Sequence, residues 1–396
     1  MKRISLVFVV VLTLLVTCSA SFAQAFATVN YDLPSPGPNV AIVYQNNSGP
    51  GISVARTLTM PAGQYGIGGG AIVAPRVVMS QTPNCIWVSN AGTGTISAFV
   101  GGPGYTYTGS YSAGLSGTTS GIGMALGSNI IVAAYSTSQR LAVWKIGPSC
   151  ALTLVSVYPE FDQIVNLAIS SDGKTLVVAE PNHQRMDPYL ITGTTLTATP
   201  SVSLTGPACT PSGGCFPAGI DITKLNTGTV TATVVVGNAV PLPYYVEMQI
   251  TAPGTLSAAF TNNPVCTTCT LAYTESPEFS PDAWSAGGGQ IYFGASGNPT
   301  GGGTGIATCP VLGYSVNCAA PALLPYTCTA CRGGNIAVAV TSPSPNGIWQ
   351  VVYQAGTNYL DLPKIVANVV SPYKQTTHTT GSPGYSVAAL PGRPLN

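Results

Sequence analysis

Short apolar runs recur along the chain, and each ends in a small or polar residue followed by a loop rich in Gly, Asn, Ser or Pro. Their starts lie about 50 residues apart, which is within the repeat range of propeller blades. Runs this short are typical of buried strands rather than helices. The pattern therefore predicts a repeated all-β fold. The runs are 41–44, 86–90, 130–134, 176–180, 234–238, 291–295 and 351–354.

One repeat shows its internal order clearly, between residues 166 and 204. Its apolar and polar positions predict four strands, with a tight turn after the first strand in which Asp172 and Gly173 supply the positive φ that a hairpin needs. Residues 181–188 are predicted to be a loop between the second and third strands. Four antiparallel strands in about 40 residues correspond to one propeller blade. The predicted strands are 166–170, 175–180, 189–192 and 195–204.

The sequence LAISSDGKTLVVA, residues 167–179, resembles the repeat of YVTN-type, lactonase-like seven-bladed β-propellers. Weaker echoes occur at 95–99 and 279–282. The resemblance implies a seven-bladed β-propeller of four-stranded antiparallel blades, with lactone hydrolysis as one activity. Because ring closure removes exposed sheet edges, residues 28–31 or 385–390 should complete a blade shared by both ends. A β-sandwich, or two stacked β-domains, is the alternative architecture.

The first 23 residues have the order of a secretory signal. Lys2 and Arg3 precede an apolar stretch at 4–16, and a small-x-small cleavage site lies at 21–23. We therefore predict a signal peptide at 1–23 and a single β-propeller domain at 24–396, secreted to the periplasm, the cell surface or the medium. Lipid attachment at Cys18 is an alternative. No later apolar stretch is long enough to predict a membrane helix.

Charge is scarce, since charged residues make up 6% of the chain. The net charge is +1, and removal of Lys2 and Arg3 with the signal would bring it to −1. A nearly neutral protein gives no electrostatic reason to expect nucleic acid as a partner. We expect a monomer whose partner is a protein or a glycan.

Ten cysteines follow the signal, an even number that predicts disulfides in an exported chain. Their spacing suggests local pairs, and the remaining two cysteines would pair by elimination. The two Cys-x-x-Cys units also leave zinc binding or a redox role open. The predicted pairs are Cys209 with Cys215, Cys266 with Cys269, Cys309 with Cys318, Cys328 with Cys331, and Cys85 with Cys150.

Seven of the few charged residues fall between positions 160 and 187, together with one of the two histidines. Most of these charged residues are predicted to lie in loops. In a propeller, loops of these types lie on the face that usually holds the binding site. Histidine and carboxylates can transfer protons, and arginine can bind an anion. A solvated ion network is the alternative. The catalytic candidates are Asp162, Glu180, His183 and Arg185, and the ligand-binding candidates are Arg140, Glu160 and Asp187.

Aromatic residues suggest a surface for neutral or hydroxylated ligands, and Tyr244 and Tyr245 stand beside a predicted loop of the same face. Ordinary strand packing is the alternative. Two histidines cannot form a three-histidine zinc site, so no metal or cofactor is predicted. A Ca²⁺ ion bound in the central channel of the propeller is the alternative. No catalytic motif stands out. We therefore expect a binding or scaffold protein rather than an enzyme, with a lactonase-like hydrolase as the alternative.

Overall fold

A computed structural model gives the fold, which is almost entirely β-strand with one 3-10 turn at Pro148–Cys150. None of the helical segments in the described part could cross a membrane. The predicted signal peptide lies outside the described residues. These are 25–46, 52–68, 74–101, 104–115, 119–180, 182, 184–204, 217–223, 233–238, 244–257, 261–264, 271–279, 290–297, 305–312, 315–318, 322–325, 332–340, 348–355, 359–366, 369–377 and 386–389.

The strands of the described part form seven antiparallel sheets, numbered here in chain order. The first sheet contains β1 (Ala25–Asn30), β2 (Val40–Asn46), β3 (Ile52–Thr59) and the last strand, β31 (Ser386–Ala389). The second contains β4 (Val77–Gln81), β5 (Asn84–Asn90), β6 (Thr95–Val100) and β7 (Thr106–Ser112). The third contains β8 (Ile122–Leu126), β9 (Ile130–Tyr135), β10 (Arg140–Ile146) and β11 (Leu152–Pro159).

The remaining four sheets follow the same up-and-down order, and three of them carry a fifth short strand. The fourth contains β12 (Asn166–Ile169), β13 (Thr175–Glu180), β14 (Arg185–Thr192), β15 (Thr195–Ala198) and β16 (Val202–Ser203). The fifth contains β17 (Pro217–Ile222), β18 (Thr233–Asn238), β19 (Tyr244–Ala252), β20 (Thr255–Leu256) and β21 (Thr261–Pro264). The sixth contains β22 (Leu271–Phe279), β23 (Gln290–Gly297), β24 (Gly305–Leu312), β25 (Ser315–Val316) and β26 (Ala322–Pro325). The seventh contains β27 (Arg332–Val340), β28 (Ile348–Ala355), β29 (Tyr359–Val366) and β30 (Val369–Thr377).

The sheets are arranged in a closed cycle. The first strands of successive sheets contact one another from β4 through β8, β12, β17 and β22 to β27. β27 in turn contacts β31, which contacts β4. Because β31 also pairs with β1, the two ends of the described chain lie in one sheet. The predicted shared sheet is confirmed, and both predicted terminal segments take part in it.

Apolar side chains are buried between neighbouring sheets rather than in one central core. Val178 of β13 packs with the third sheet, whereas the adjacent Val177 packs with Val246 and Met248 of the fifth. A strand that is buried on both faces needs apolar residues at consecutive positions. This explains why the repeated runs are continuous and not alternating.

Two of the predicted disulfides lie among the described residues, and both are confirmed. Cys85 of β5 is bonded to Cys150, which joins the second sheet to the third. Cys309 of β24 is bonded to Cys318, which follows β25. The other six cysteines fall outside the described residues, so their predicted pairing remains a prediction.

A buried ion pair ties the first sheet to the second. The Arg76 guanidinium lies 2.5 Å from the Asp32 carboxylate, and both side chains are almost fully buried. Asn30 supports the pair, because its side-chain amide donates to the carbonyls of Arg76 and Ser89. Gly66 packs against Asp32 so closely that a Cβ would lie 2.2 Å from the Asp32 carbonyl oxygen. The glycine of this loop is therefore required by close packing.

We expect deletion of residues 386–396 to destabilise the fold, because β1 loses its partner strand and the cycle of sheets opens. Four residue pairs join β1 to β31. At about 1 kcal/mol for each hydrogen bond, the loss is on the order of 4 kcal/mol before any apolar exposure is added. Urea unfolding of the truncated chain measures it. A chain that ends at Ala389 keeps β31 and should unfold like the full chain, and equal loss in both would contradict the assignment.

Arg76→Met is expected to lower the free energy of unfolding by about 3–5 kcal/mol, because it leaves the Asp32 carboxylate buried without its counter-ion. The matched control is Arg56→Met, since Arg56 is exposed on β3. Its expected change is below about 1 kcal/mol. Chemical denaturation of the two variants side by side makes the comparison, and similar small losses in both would show that the ion pair contributes little.

Candidate functional site

Three buried carboxylates meet at the junction between the third and fourth sheets. Glu160 follows β11 in the segment that crosses to β12, Glu180 ends β13, and Asp187 lies near the start of β14. We call these three side chains the carboxylate cluster. One oxygen from each lies within 4.8 Å of the others, and each residue is at most 7% exposed.

Strand pairing brings these residues together. Glu180 is directly opposite Arg185 in the pairing of β13 with β14. Residues two apart on a strand share a face, so Arg185, Asp187 and Tyr189 line the same face of β14. The sequence Arg-x-Asp-x-Tyr therefore directs three polar side chains toward the segment that connects β11 of the third sheet to β12 of the fourth, called the crossing segment below.

This placement corrects the predicted loop at 181–188. The third strand of this sheet begins at Arg185, not at Tyr189, so Arg185 and Asp187 belong to β14. The error arose because charged residues before Pro188 suggested an exposed loop. The predicted second strand is confirmed, and Gly173 has the expected positive φ of 69°. The predicted fourth strand is divided into two short strands, β15 and β16.

Arg185 is the cation in contact with the cluster. Its Nη2 lies 2.9 Å from Oε2 of Glu180, and its Nε donates to Oδ2 of Asp187 at 3.1 Å. The guanidinium also stacks under Phe161, at 4.8 Å from the ring centre. Phe161 is 78% exposed, whereas the Arg185 side chain is 20% exposed. Arg185 therefore links the buried carboxylates to the surface.

The crossing segment is anchored to the cluster by hydrogen bonds. Oε1 of Glu180 accepts the backbone N–H groups of Phe161 and Asp162 at 3.2 and 3.3 Å. The Tyr189 hydroxyl donates to Oε1 of Glu160 at 2.5 Å. These contacts hold residues of two sheets in fixed relative positions.

Burial is the main reason that the pKa of Glu160 is raised to about 8. The hydrogen bond from Tyr189 lowers this pKa, and the nearby carboxylates of Glu180 and Asp187 raise it. The pKa of Glu180 is also raised, first by burial and then by the charge of Asp187, with Arg185 acting in the opposite direction. Three carboxylates and one guanidinium are thus close to one another in a site with little water.

The other predicted site residues take different positions. Asp162 lies beside the cluster, where its side chain accepts from Asn182 at 2.8 Å. Arg140 begins β10 opposite Pro159, and its guanidinium donates to the Gln139 carbonyl at 2.9 Å. His183 falls outside the described residues.

Of the two predicted tyrosines, the structure describes the side chain of Tyr245 alone. Tyr245 is buried in β19, where its hydroxyl donates to the Val316 carbonyl at 3.0 Å, so it packs the fifth sheet against the sixth. Tyr244 begins the same strand, and its side chain lies outside the described part. The strand-packing alternative therefore holds for Tyr245.

Tyr189 belongs to the site and was missed from the sequence. It was assigned to an apolar strand after the loop, although its spacing from Asp187 and Arg185 carries the signal. Once β14 is known to begin at Arg185, alternate positions place all three side chains on one face. Burial then makes the tyrosine hydroxyl a necessary hydrogen-bond partner.

Comparison with known proteins supports the fold but assigns no family. No protein-family model matches the chain, and no curated protein sequence matches it. Several solved structures, however, align with this chain. A proposed 6-phosphogluconolactonase from Bacteroides fragilis aligns with a TM-score of 0.65 at 12% identity, over 93% of this chain and 98% of that one.

Two further solved structures extend this likeness. The periplasmic gluconolactonase of Pseudomonas aeruginosa aligns with a TM-score of 0.60 at 11% identity, over 92% of this chain and 98% of that one. The β-propeller domain of Cps50 (Swd1) from Myceliophteria thermophila aligns with a TM-score of 0.52 at 9% identity, covering 79% of this chain and 89% of that one. At such low identities the comparisons establish an all-β, propeller-type fold similar to that of lactonases.

The stability of the metal-free protein is expected to fall as pH rises from about 4.5 to 8. In this range folded Glu160 keeps a proton that the unfolded chain releases, so unfolding releases a proton and a higher pH favours it. The slope is at most about 1.4 kcal/mol per pH unit for one group. Glu160→Gln should flatten the profile only partly, because the raised pKa of Glu180 also contributes to the slope.

Denaturation with a chelator present, at a series of pH values, measures this slope. Asp172→Asn is the control, since Asp172 is exposed in the turn between β12 and β13. A profile for Glu160→Gln that coincides with that of the control would contradict the raised pKa.

Proposed function

We propose that the chain is a secreted, seven-bladed β-propeller that hydrolyses a lactone. The signal peptide would span residues 1–23 and the propeller residues 24–396, with each of the seven sheets forming one blade. The cyclic contacts of the first strands support this arrangement. The likeness to structures described as gluconolactonases, over more than nine-tenths of the chain, supports the activity.

The observation that carries the proposal is the meeting of the carboxylate cluster with Arg185 at one end of β13 and β14. Hydrolysis of a cyclic ester requires a base to activate water, an acid to protonate the departing oxygen, and a positive group near the carbonyl oxygen. The site contains all three types of group close together, since Arg185 donates to Asp187 at 3.1 Å and an oxygen of Glu160 lies within 4.8 Å of one of Asp187. Arg185 also reaches the surface, where a substrate would arrive.

The residues suggest distinct roles. Arg185 would donate an N–H group to the carbonyl oxygen as negative charge develops there. Asp187 would accept a proton from water as the water oxygen bonds to the carbonyl carbon, since its Oδ1 is buried and has no hydrogen-bond donor in the described part. Glu160, whose raised pKa retains a proton near neutrality, would pass that proton to the ring oxygen as the C–O bond breaks. The product is an open-chain hydroxy acid.

Ligand binding without reaction is the second candidate function. Phe161 is an exposed aromatic ring stacked on Arg185, and such a pair offers an apolar and cationic surface to a glycan or protein. This arrangement is consistent with a binding or scaffold role. The fold likeness favours the hydrolase, because the similar solved structures include proteins described as lactonases.

A panel of sugar and aliphatic lactones, followed by acid release, tests the hydrolase. We expect turnover by the mature protein and a fall of about 100-fold or more in kcat/KM for Asp187→Asn. Asp172→Asn is the matched control because it makes the same chemical change in an exposed turn. Its activity should equal that of the unmodified protein.

Each outcome of this assay decides between the two functions. Equal activity in Asp187→Asn and in the control would remove the cluster from the mechanism. No turnover of any lactone, with binding of glycans that is lost in Phe161→Ala, would favour the binding role. Thermal unfolding of each variant verifies that it is folded.

A further inference from the structure

We propose that Glu160, Glu180 and Asp187 together bind one divalent cation of the Ca²⁺ type at the junction of the third and fourth sheets. This proposal goes beyond lactone hydrolysis and does not depend on it. A cation bound there would occupy the oxygens that the proposed hydrolysis uses as base and acid, so it would act as a structural ion that holds the two sheets together and would compete with that reaction.

Geometry is the first argument. Carboxylate oxygens are the ligands that Ca²⁺ prefers, at bond lengths of about 2.3–2.6 Å. Two ligands of one ion can therefore lie as far apart as about 4.6–5.2 Å. The three oxygens of the cluster lie within 4.8 Å of one another, so an ion at their centre would be no more than about 2.8 Å from each, and a small adjustment of the side chains would bring all three to Ca²⁺ bonding distance. Mg²⁺, with bonds of about 2.0–2.1 Å, would require all separations to be shorter than about 4.2 Å.

An unpartnered buried oxygen is the second, independent argument. Oδ1 of Asp187 is buried and accepts no hydrogen bond in the described part of the chain, although the Asp187 side chain is only 7% exposed. Its other oxygen, Oδ2, accepts from Arg185. A buried carboxylate oxygen without a partner is costly, and coordination to a cation would remove that cost.

Charge balance is the third argument. When ionised, the three carboxylates carry three negative charges, and Arg185 supplies one positive charge. Two negative charges then remain in a buried site, and one of them arises only when Glu160 gives up the proton that it keeps near neutral pH, a proton that a bound cation would displace. A divalent cation neutralises both, whereas a monovalent ion would leave one charge uncompensated.

The ligands are also held in place before an ion arrives. Tyr189 fixes Glu160, and the amides of Phe161 and Asp162 fix Glu180. Arg185 fixes both Glu180 and Asp187. Hydrogen bonds of this kind to metal ligands orient them and strengthen binding.

The mature full-length protein, stripped with a chelator, is the sample for the test. We expect its melting temperature to rise on addition of millimolar Ca²⁺, since an ion that binds only the folded state stabilises it. Terbium, which replaces Ca²⁺ at oxygen sites, should give luminescence excited through Tyr189, and Ca²⁺ should compete it away. Neither measurement needs a lactone.

Asp187→Asn is the decisive variant, because it keeps the shape of the side chain and removes its charge. We expect the apparent affinity for terbium to fall at least tenfold and the Ca²⁺-dependent shift in melting temperature to disappear. Asp172→Asn is the control and should keep both signals. If Asp187→Asn does not fold, Glu160→Gln replaces it. Tyr189→Phe should weaken the terbium signal and also reduce the Ca²⁺-dependent shift, because Glu160 loses the hydrogen bond that orients it.

Two results would overturn the proposal. One is a melting temperature and terbium signal in the unmodified protein that do not respond to divalent cations. The other is an equal response in Asp187→Asn and Asp172→Asn. Cation binding that persists without any lactone turnover would contradict only the hydrolase, and turnover without cation binding would contradict only this proposal.

Discussion

Hydrogen bonding between β1 and β31 closes the cycle of sheets, and the burial of every other sheet depends on that closure. Among the described side chains, those at the centre of the middle strand β13 are apolar and buried on both faces, because a neighbouring sheet covers each face. If the cycle opened, the first sheet would lose a partner strand and the sheets beside it would expose apolar surface. The chain therefore joins its two most distant segments to protect faces that no local contact could cover.

The same packing explains where polar residues are found. A side chain at the end of a second or third strand lies under the loops that cross from one sheet to the next, so it is buried even though it stands at a strand end. Asn90 ends β5 and is buried, where its amide donates to Thr95 and Ser97. Glu180 ends β13 at the corresponding place and is also buried. In a chain with few charges, charged residues at such positions need specific partners.

The sequence predicted the strands better than it predicted the site. Apolar runs locate the second strand in six sheets, and they predict β13 with its observed ends, because burial on both faces leaves a local signal in the sequence. In the first sheet the run lies on β2 instead, since β31 from the far end of the chain takes the first place. Strand pairing across the hairpin carries no such signal. For this reason Arg185 and Asp187 were assigned to a loop, and Tyr189 was not recognised as a partner of Glu160.

Two buried ionic groups in the described part of the chain differ in a way that separates structure from function. Asp32 and Arg76 form a pair of equal and opposite charges, supported by an asparagine and a closely packed glycine, and this balance is typical of a structural contact. The carboxylate cluster has three acidic groups for one guanidinium, and within the described residues Oδ1 of Asp187 accepts no hydrogen bond. A fold that is similar both to structures described as lactonases and to the Cps50 propeller domain cannot by itself specify chemistry. An uncompensated charge costs stability unless a proton, a cation or a reacting group neutralises it, so function is best sought where that imbalance is maintained.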